Sequence, residues 1–159
     1  NRLIGRAQAM TYDRHLTKRL LAAATGWREA ARVILSANAQ DIVLWPPFYT
    51  SLYYALEQSF KAFMASRGAT RKELRLIGHS LNELRADSEK AGLQSGADRF
   101  SEFLAQLDGK LLELRYLEGE EIEIAEPREA LQLVDEHFIS IGRSIPVREL
   151  LETGDASRI

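Results

Sequence analysis

The stretch Tyr53-Tyr54-Ala55-Leu56-Glu57-Gln58-Ser59-Phe60-Lys61-Ala62-Phe63, with Leu52 before it, decides the fold. Leu52, Leu56, Phe60 and Phe63 recur at i, i+4, i+8 and i+11, which is the spacing of one helical face. Aromatic residues flank that stripe, so the helix is expected to be buried on more than one side. Tyr53, Glu57 and Lys61 recur every four residues and therefore share a second, polar face. Downstream, Gly78-His79-Ser80-Leu81 reads as a glycine-histidine turn that opens another helix.

Outward from this centre, the chain is expected to be helical throughout. A helix over about Tyr12–Ala24 carries Leu16, Leu20 and Leu21 on one face, and Thr25-Gly26 is expected to interrupt it. A second, Trp27–Leu44, turns Ala31, Ile34, Leu35 and Ala39 inward. Pro46-Pro47 stops it, because the residue before a proline avoids the α region, and Pro47 then suits the first turn of a third helix, Phe48–Ser66. Gly68 ends that helix, and Thr70 with Glu73 forms a capping box for a short segment to Leu76. Helices over Ser80–Ala91, Ala97–Leu117 and Arg128–Ile141 follow. Between the last two, Glu121-Ile122-Glu123-Ile124 alternates as a short extended connector, and the tail after Pro146 adds one turn at most. The expected fold is all-α: a single domain over residues 1–159, an up-and-down bundle of about five long helices.

Composition narrows the function classes. The chain has 159 residues, 45% hydrophobic and 28% charged, the balance of a soluble globular domain. Its formal net charge of -2 provides no global field for nucleic acid, which leaves only a local basic patch to attract one. The absence of cysteine excludes disulfides, thiolate metal sites and cysteine nucleophiles, and fits a cytoplasmic setting. No apolar run approaches the ~20 residues that span a bilayer. The first residue is Asn1 rather than methionine, as expected if the natural chain continues upstream.

Few motifs carry chemistry. Glu57 and Lys61 are either an ion pair satisfied within the core or the polar wall of a cleft between helices. His79 is either a hydrogen-bonded turn residue beside the N-cap Ser80 or a general acid or base. His15, His79 and His137 have no metal-ligand spacing, and Glu136 and His137, being adjacent, fall on different helical faces. No phosphate-binding glycine loop or nucleophile elbow is present, so neither a metal nor a cofactor is expected. Arg67, Arg71, Lys72 and Arg75 make a basic segment beside the glycine-histidine turn, read as a solvated face or a phosphate contact. Arg115-Tyr116 offers a cation beside a ring, able to stack a base or to anchor the helix end.

In their order and spacing, several of these pieces resemble the HEPN family (higher eukaryotes and prokaryotes nucleotide-binding domain). The resemblance lies in Ser51-Leu52-Tyr53-Tyr54-Ala55-Leu56-Glu57, Lys61-Ala62, Gly68, Gly78-His79-Ser80-Leu81-Asn82-Glu83-Leu84, Gly92 and Arg115-Tyr116. It covers roughly 28–140. The family implies a helical bundle that often dimerises through paired long helices, in RNase toxins and effectors or in nonenzymatic domains linked to nucleotidyltransferases. Its RNase members carry Arg-x(4–6)-His, and this chain departs from that pattern. Three residues separate Arg75 from His79, seven separate Arg71 from His79, and eight separate Arg128 from His137. The resemblance therefore implies a nonenzymatic binding module of the bacterial or archaeal cytoplasm. Its implied partners are a nucleotide, RNA or a nucleotidyltransferase-type protein, together with a second copy in a homodimer. The candidate ligand-binding residues are Tyr54, Glu57, Lys61, His79, Arg115 and Tyr116. Two alternatives stay open: a divergent metal-independent RNase of the toxin or defence type that uses His79, and a purely structural dimerisation module.

Overall fold

Six α-helices and one 3-10 turn make up the described part of the chain, and no strand occurs among the described residues. The computed structural model describes residues 13–38, 42–94, 96, 98–116 and 123–145, with backbone alone for 38 and 109–116. In order these are α1 (Arg14–Asn38), the 3-10 turn (Ile42–Leu44), α2 (Trp45–Ser66), α3 (Arg71–Ile77), α4 (Leu81–Lys90), α5 (Asp98–Tyr116) and α6 (Pro127–Ser144). The all-α class is as expected, with six helices among the described residues in place of about five.

Helix α2 is the central element. The stripe Leu52, Leu56, Phe60 and Phe63 is fully buried, and Phe48, Tyr49, Ala55 and Ala62 close off its other sides. Against it pack Ala31 of α1, Leu81 and Leu84 of α4, Phe103, Leu104 and Leu107 of α5, and Ala130 and Val134 of α6. Pro46 and Pro47 fall in the first turn of α2, where a missing N–H costs nothing.

One expectation fails. Thr25-Gly26 does not interrupt a helix: α1 runs through it as 25 continuous residues and ends at Asn38, short of Leu44. Ala24 and Ala31, on either side of the glycine, are both fully buried, and this packing outweighs the ~0.5–1 kcal/mol that a mid-helix glycine costs.

Around the glycine-histidine turn, three caps fix the geometry. Thr70 and Glu73 form the expected capping box at the start of α3. Gly78 ends α3 at φ 79°, ψ -138°, a backbone conformation that side chains with a Cβ rarely adopt. Ser80 caps α4, its Oγ accepting from the Glu83 amide at 3.3 Å. A carboxylate from α5 reinforces this cap: Asp108 accepts from Ser80 Oγ at 2.8 Å and from the amides of Leu81 at 3.0 Å and Asn82 at 3.2 Å. It thereby supplies negative charge to a helix N-terminus and ties α4 to α5.

Glu123–Glu126 has no regular structure, in keeping with a connector, while Glu121 and Ile122 lie outside the described residues, as does the tail from Pro146.

The cavity-free, exposed position of Gly26 gives a direct check. With nothing within 4 Å of an added Cβ, Gly26→Ala is expected to raise the urea-unfolding free energy by about 0.5–1 kcal/mol. A loss of stability would mean that α1 is not continuous there.

Candidate functional site

Glu57 sits one helical turn before Lys61 on α2, and its side chain is only 2% exposed. A carboxylate so removed from water must be neutralised and hydrogen-bonded. Its Oε1 accepts from Lys61 Nζ at 2.6 Å and lies 3.0 Å from His79 Nδ1. Its Oε2 is buried without any hydrogen-bond partner. The Tyr53 hydroxyl, one turn earlier on the same face, donates to the carbonyl of His79. The polar stripe of α2 therefore holds the glycine-histidine turn by backbone and by side chain.

A carboxylate only accepts, so His79 Nδ1 is the donor, and in the neutral ring Nε2 becomes the bare nitrogen. The imidazole is 79% exposed, and it opens on a groove of about 270 Å3 between α1, α2 and α3. Glu57, Lys61 and His79 line this groove together with Arg71, Arg75 and Gln58, over an apolar floor of Leu16, Leu20 and Leu74. Neither arginine has an ion-pair partner among the described residues. Three permanent cations thus face one carboxylate, and that carboxylate is buried. With Lys61 set against Glu57, Arg71 and Arg75 leave the lining of the groove net positive although the whole chain is acidic.

Three of the six expected site residues, Glu57, Lys61 and His79, come together here. Tyr54 does not join them: its ring packs on Trp27 of α1, with centroids 5.1 Å apart. The side chains of Arg115 and Tyr116 lie outside the described residues, although the backbone of both belongs to α5. Arg71 and Arg75 were legible as a basic segment, but sequence did not show that α3 turns both into the groove. The alternatives for Glu57 and Lys61 prove not to exclude each other, since the pair is buried and also walls a cleft.

His137, the second histidine with a built environment, lies in the core instead. Its ring stacks on Phe100, at 5.1 Å between centroids and 16° between planes, and packs on Phe60 at 4.6 Å. Nε2 is 2.8 Å from Ser59 Oγ, whose own proton goes to the carbonyl of Leu56 at 2.8 Å. Nε2 is therefore the protonated nitrogen. Among the described residues no group of three metal-ligating side chains exists, and no helix is long and apolar enough to cross a membrane.

Burial pushes the His137 imidazole down to about 3. In an unfolded chain it would protonate near the usual value of ~6.5. Below that pH the unfolded state binds a proton that the native state refuses, so stability is complete above ~6.5 and falls as pH drops toward 3. Between about pH 5.5 and 4, unfolding should take up close to one more proton in the native sequence than in His137→Gln. Parallel pH–stability curves for the two proteins would contradict this.

Comparison with family models, with curated proteins and with solved structures finds no match to this chain. Function therefore rests on what the residues of the groove can do chemically.

Proposed function

We propose that the chain is a nonenzymatic, HEPN-like binding module whose groove between α1, α2 and α3 takes a phosphate-bearing ligand, either a nucleotide or RNA. The observation that carries the reading is the convergence of Lys61, Arg71, Arg75 and His79 on one groove whose single carboxylate is buried. Arginine guanidinium groups suit phosphate because their planar fork can donate two parallel hydrogen bonds. Lys61 adds a point charge held in place by Glu57, and His79 adds a ring edge at the mouth. The order of sequence pieces that resemble HEPN agrees with such a module.

Lys61 is a poor probe of binding, because removing one partner of a buried pair costs about 3–5 kcal/mol of stability. Arg71 and Arg75 are exposed and can be changed without disturbing the core. Arg71→Ala with Arg75→Ala should leave unfolding unchanged, weaken binding of a short RNA at least tenfold, and flatten its dependence on salt by about two released counterions. Unaltered RNA and nucleotide affinity in the folded double variant would remove this assignment.

One observation favours a second reading, the metal-independent RNase. A carboxylate–imidazole pair that leaves Nε2 bare beside Arg71 and Arg75, which have no ion-pair partner among the described residues, has the parts of a general base and a transition-state cation. In that case purified protein cleaves RNA in the presence of a chelator, and His79→Ala abolishes cleavage while native unfolding behaviour is kept. Intact RNA across a broad panel of sequences would leave the binding module alone.

A further inference from the structure

Cations continue beyond the lining of the basic groove. On α1, Thr17 and Ala24 are fully buried, and Leu16 and Leu20 belong to the groove floor. At about 100° per residue, the flank of Leu16 and Leu20 that faces away from Thr17 falls to Arg19. On α3, Leu74 packs with Leu16, and Arg71 and Arg75 line the groove. Lys72 follows them on the side away from Leu74. Arg19 and Lys72 are both exposed, and neither has an ion-pair partner among the described residues. The carboxylates of these two helices serve as caps. Asp13 accepts from the Leu16 amide at 2.9 Å, and Glu73 accepts from the Thr70 amide and hydroxyl at 2.7 Å. The groove thus has a cationic lip on each side, Arg19 on α1 and Arg71, Arg75 and Lys72 on α3.

These lips extend past what one small ligand can touch. The groove, at about 270 Å3, falls short of the ~300–1,000 Å3 that encloses a whole small molecule. Packed helix axes stand about 8–10 Å apart, so a single phosphate group cannot reach outward side chains on both α1 and α3. A chain of phosphates can. The apolar floor of Leu16, Leu20 and Leu74 takes a base face or a sugar, and a duplex keeps its base faces inside its own stack. No Phe, Tyr or Trp lines the groove, so phosphate contacts and not ring stacking carry the affinity. His79 supplies a distinction between the two nucleic acids. Its Nδ1 donates to Glu57, which leaves Nε2 as an acceptor on an exposed ring. A 2′-hydroxyl can donate to that nitrogen, and DNA has none.

Granted a phosphate-binding groove, we propose that its ligand is single-stranded RNA rather than a free nucleotide. The strand lies across α1 and α3, with Arg19 and Lys72 holding the phosphates on either side of the groove. Arg71 and Arg75 hold the phosphates within it, and His79 Nε2 accepts from a ribose 2′-hydroxyl. Recognition is tolerant of base sequence and steeply dependent on salt.

The probes are oligouridine of about 12 nucleotides, the matching oligodeoxyuridine and uridine monophosphate, titrated into the full chain in mildly alkaline solution. The RNA strand is expected to bind at least about a hundredfold more tightly than the mononucleotide, and about fivefold more tightly than the DNA strand, the worth of one hydrogen bond. Arg19→Ala with Lys72→Ala should weaken the RNA strand at least about tenfold and flatten its log–log salt slope by about 1.4, at ~0.7 for each phosphate released. Lys18→Ala removes an equally exposed cation from the side of α1 away from Leu20, and should change affinity by less than about twofold. Nitrogen-15 spectra should show the His79 Nε2 resonance moving with RNA and not with DNA. Equal binding of mononucleotide and strand, equal binding of DNA and RNA, an unaffected double variant, or an equal loss in Lys18→Ala each overturns the proposal. If uridine monophosphate binds as tightly as the strand and depends on Arg71 and Arg75, the phosphate groove survives and the RNA track does not. Binding of none of the three probes removes both.

Discussion

The burial of one carboxylate on α2 governs the rest of the candidate site. Glu57 lies where water cannot reach it, on the most enclosed helix of the bundle. Charge in such a place is tolerated only when it is paired. Lys61 provides the pairing from within α2, and His79 provides it from the α3–α4 turn, 22 residues away in sequence. Satisfying Glu57 therefore fixes the turn against α2, and the turn in turn sets where α3 carries Arg71 and Arg75. The Tyr53 hydroxyl, bonded to the carbonyl of His79, works in the same direction. Gly78 makes the geometry possible, because its backbone occupies a region that is strained for other residues.

Charge is sorted across the molecule in a way that its net value of -2 conceals. Among the described residues, Arg71 and Arg75 have no ion-pair partner and line the groove of α1, α2 and α3, whereas Glu102, Glu123 and Glu136, also without a cationic partner, lie on or beside α5 and α6. Several other charges join the helices to one another. Arg32 grips Asp135 of α6 through Nη2 at 2.9 Å, and Arg28 lies 4.6 Å above the Phe138 ring, which together bind α1 to α6. Asp108 serves the N-terminus of α4. The two histidines with built environments are treated in opposite ways. One is held at the surface by a carboxylate, and the other is sealed in the core by a serine and two phenylalanines.

Helical period and capping chemistry are local properties, and they were legible. The buried stripe on α2 spans about three turns of one helix, and the capping box at Thr70 and Glu73 and the Ser80 cap each lie within a single turn. The continuity of α1 through Gly26 was not legible, since it depends on packing against α2 and not on propensity. The i, i+4 spacing named Glu57 and Lys61 as a pair, and the glycine-histidine turn named His79. Nothing local joins them. Nor could Asp108 be seen as a cap for a helix 27 residues before it, or Ser59 as the partner of a histidine 78 residues later. Tyr54 packs its ring against Trp27 of α1 and against Tyr53, contacts that no spacing along α2 could show.

The protonation pattern of His79 tests most directly whether Glu57 organises this groove. Two-bond proton–nitrogen spectra of the imidazole in mildly alkaline solution distinguish its two neutral tautomers. Donation to Glu57 predicts the proton on Nδ1, with Nε2 bare, and a return toward the mixture of free histidine in Glu57→Gln. A predominantly Nε2-protonated ring in the native protein, unchanged by Glu57→Gln, would contradict the account.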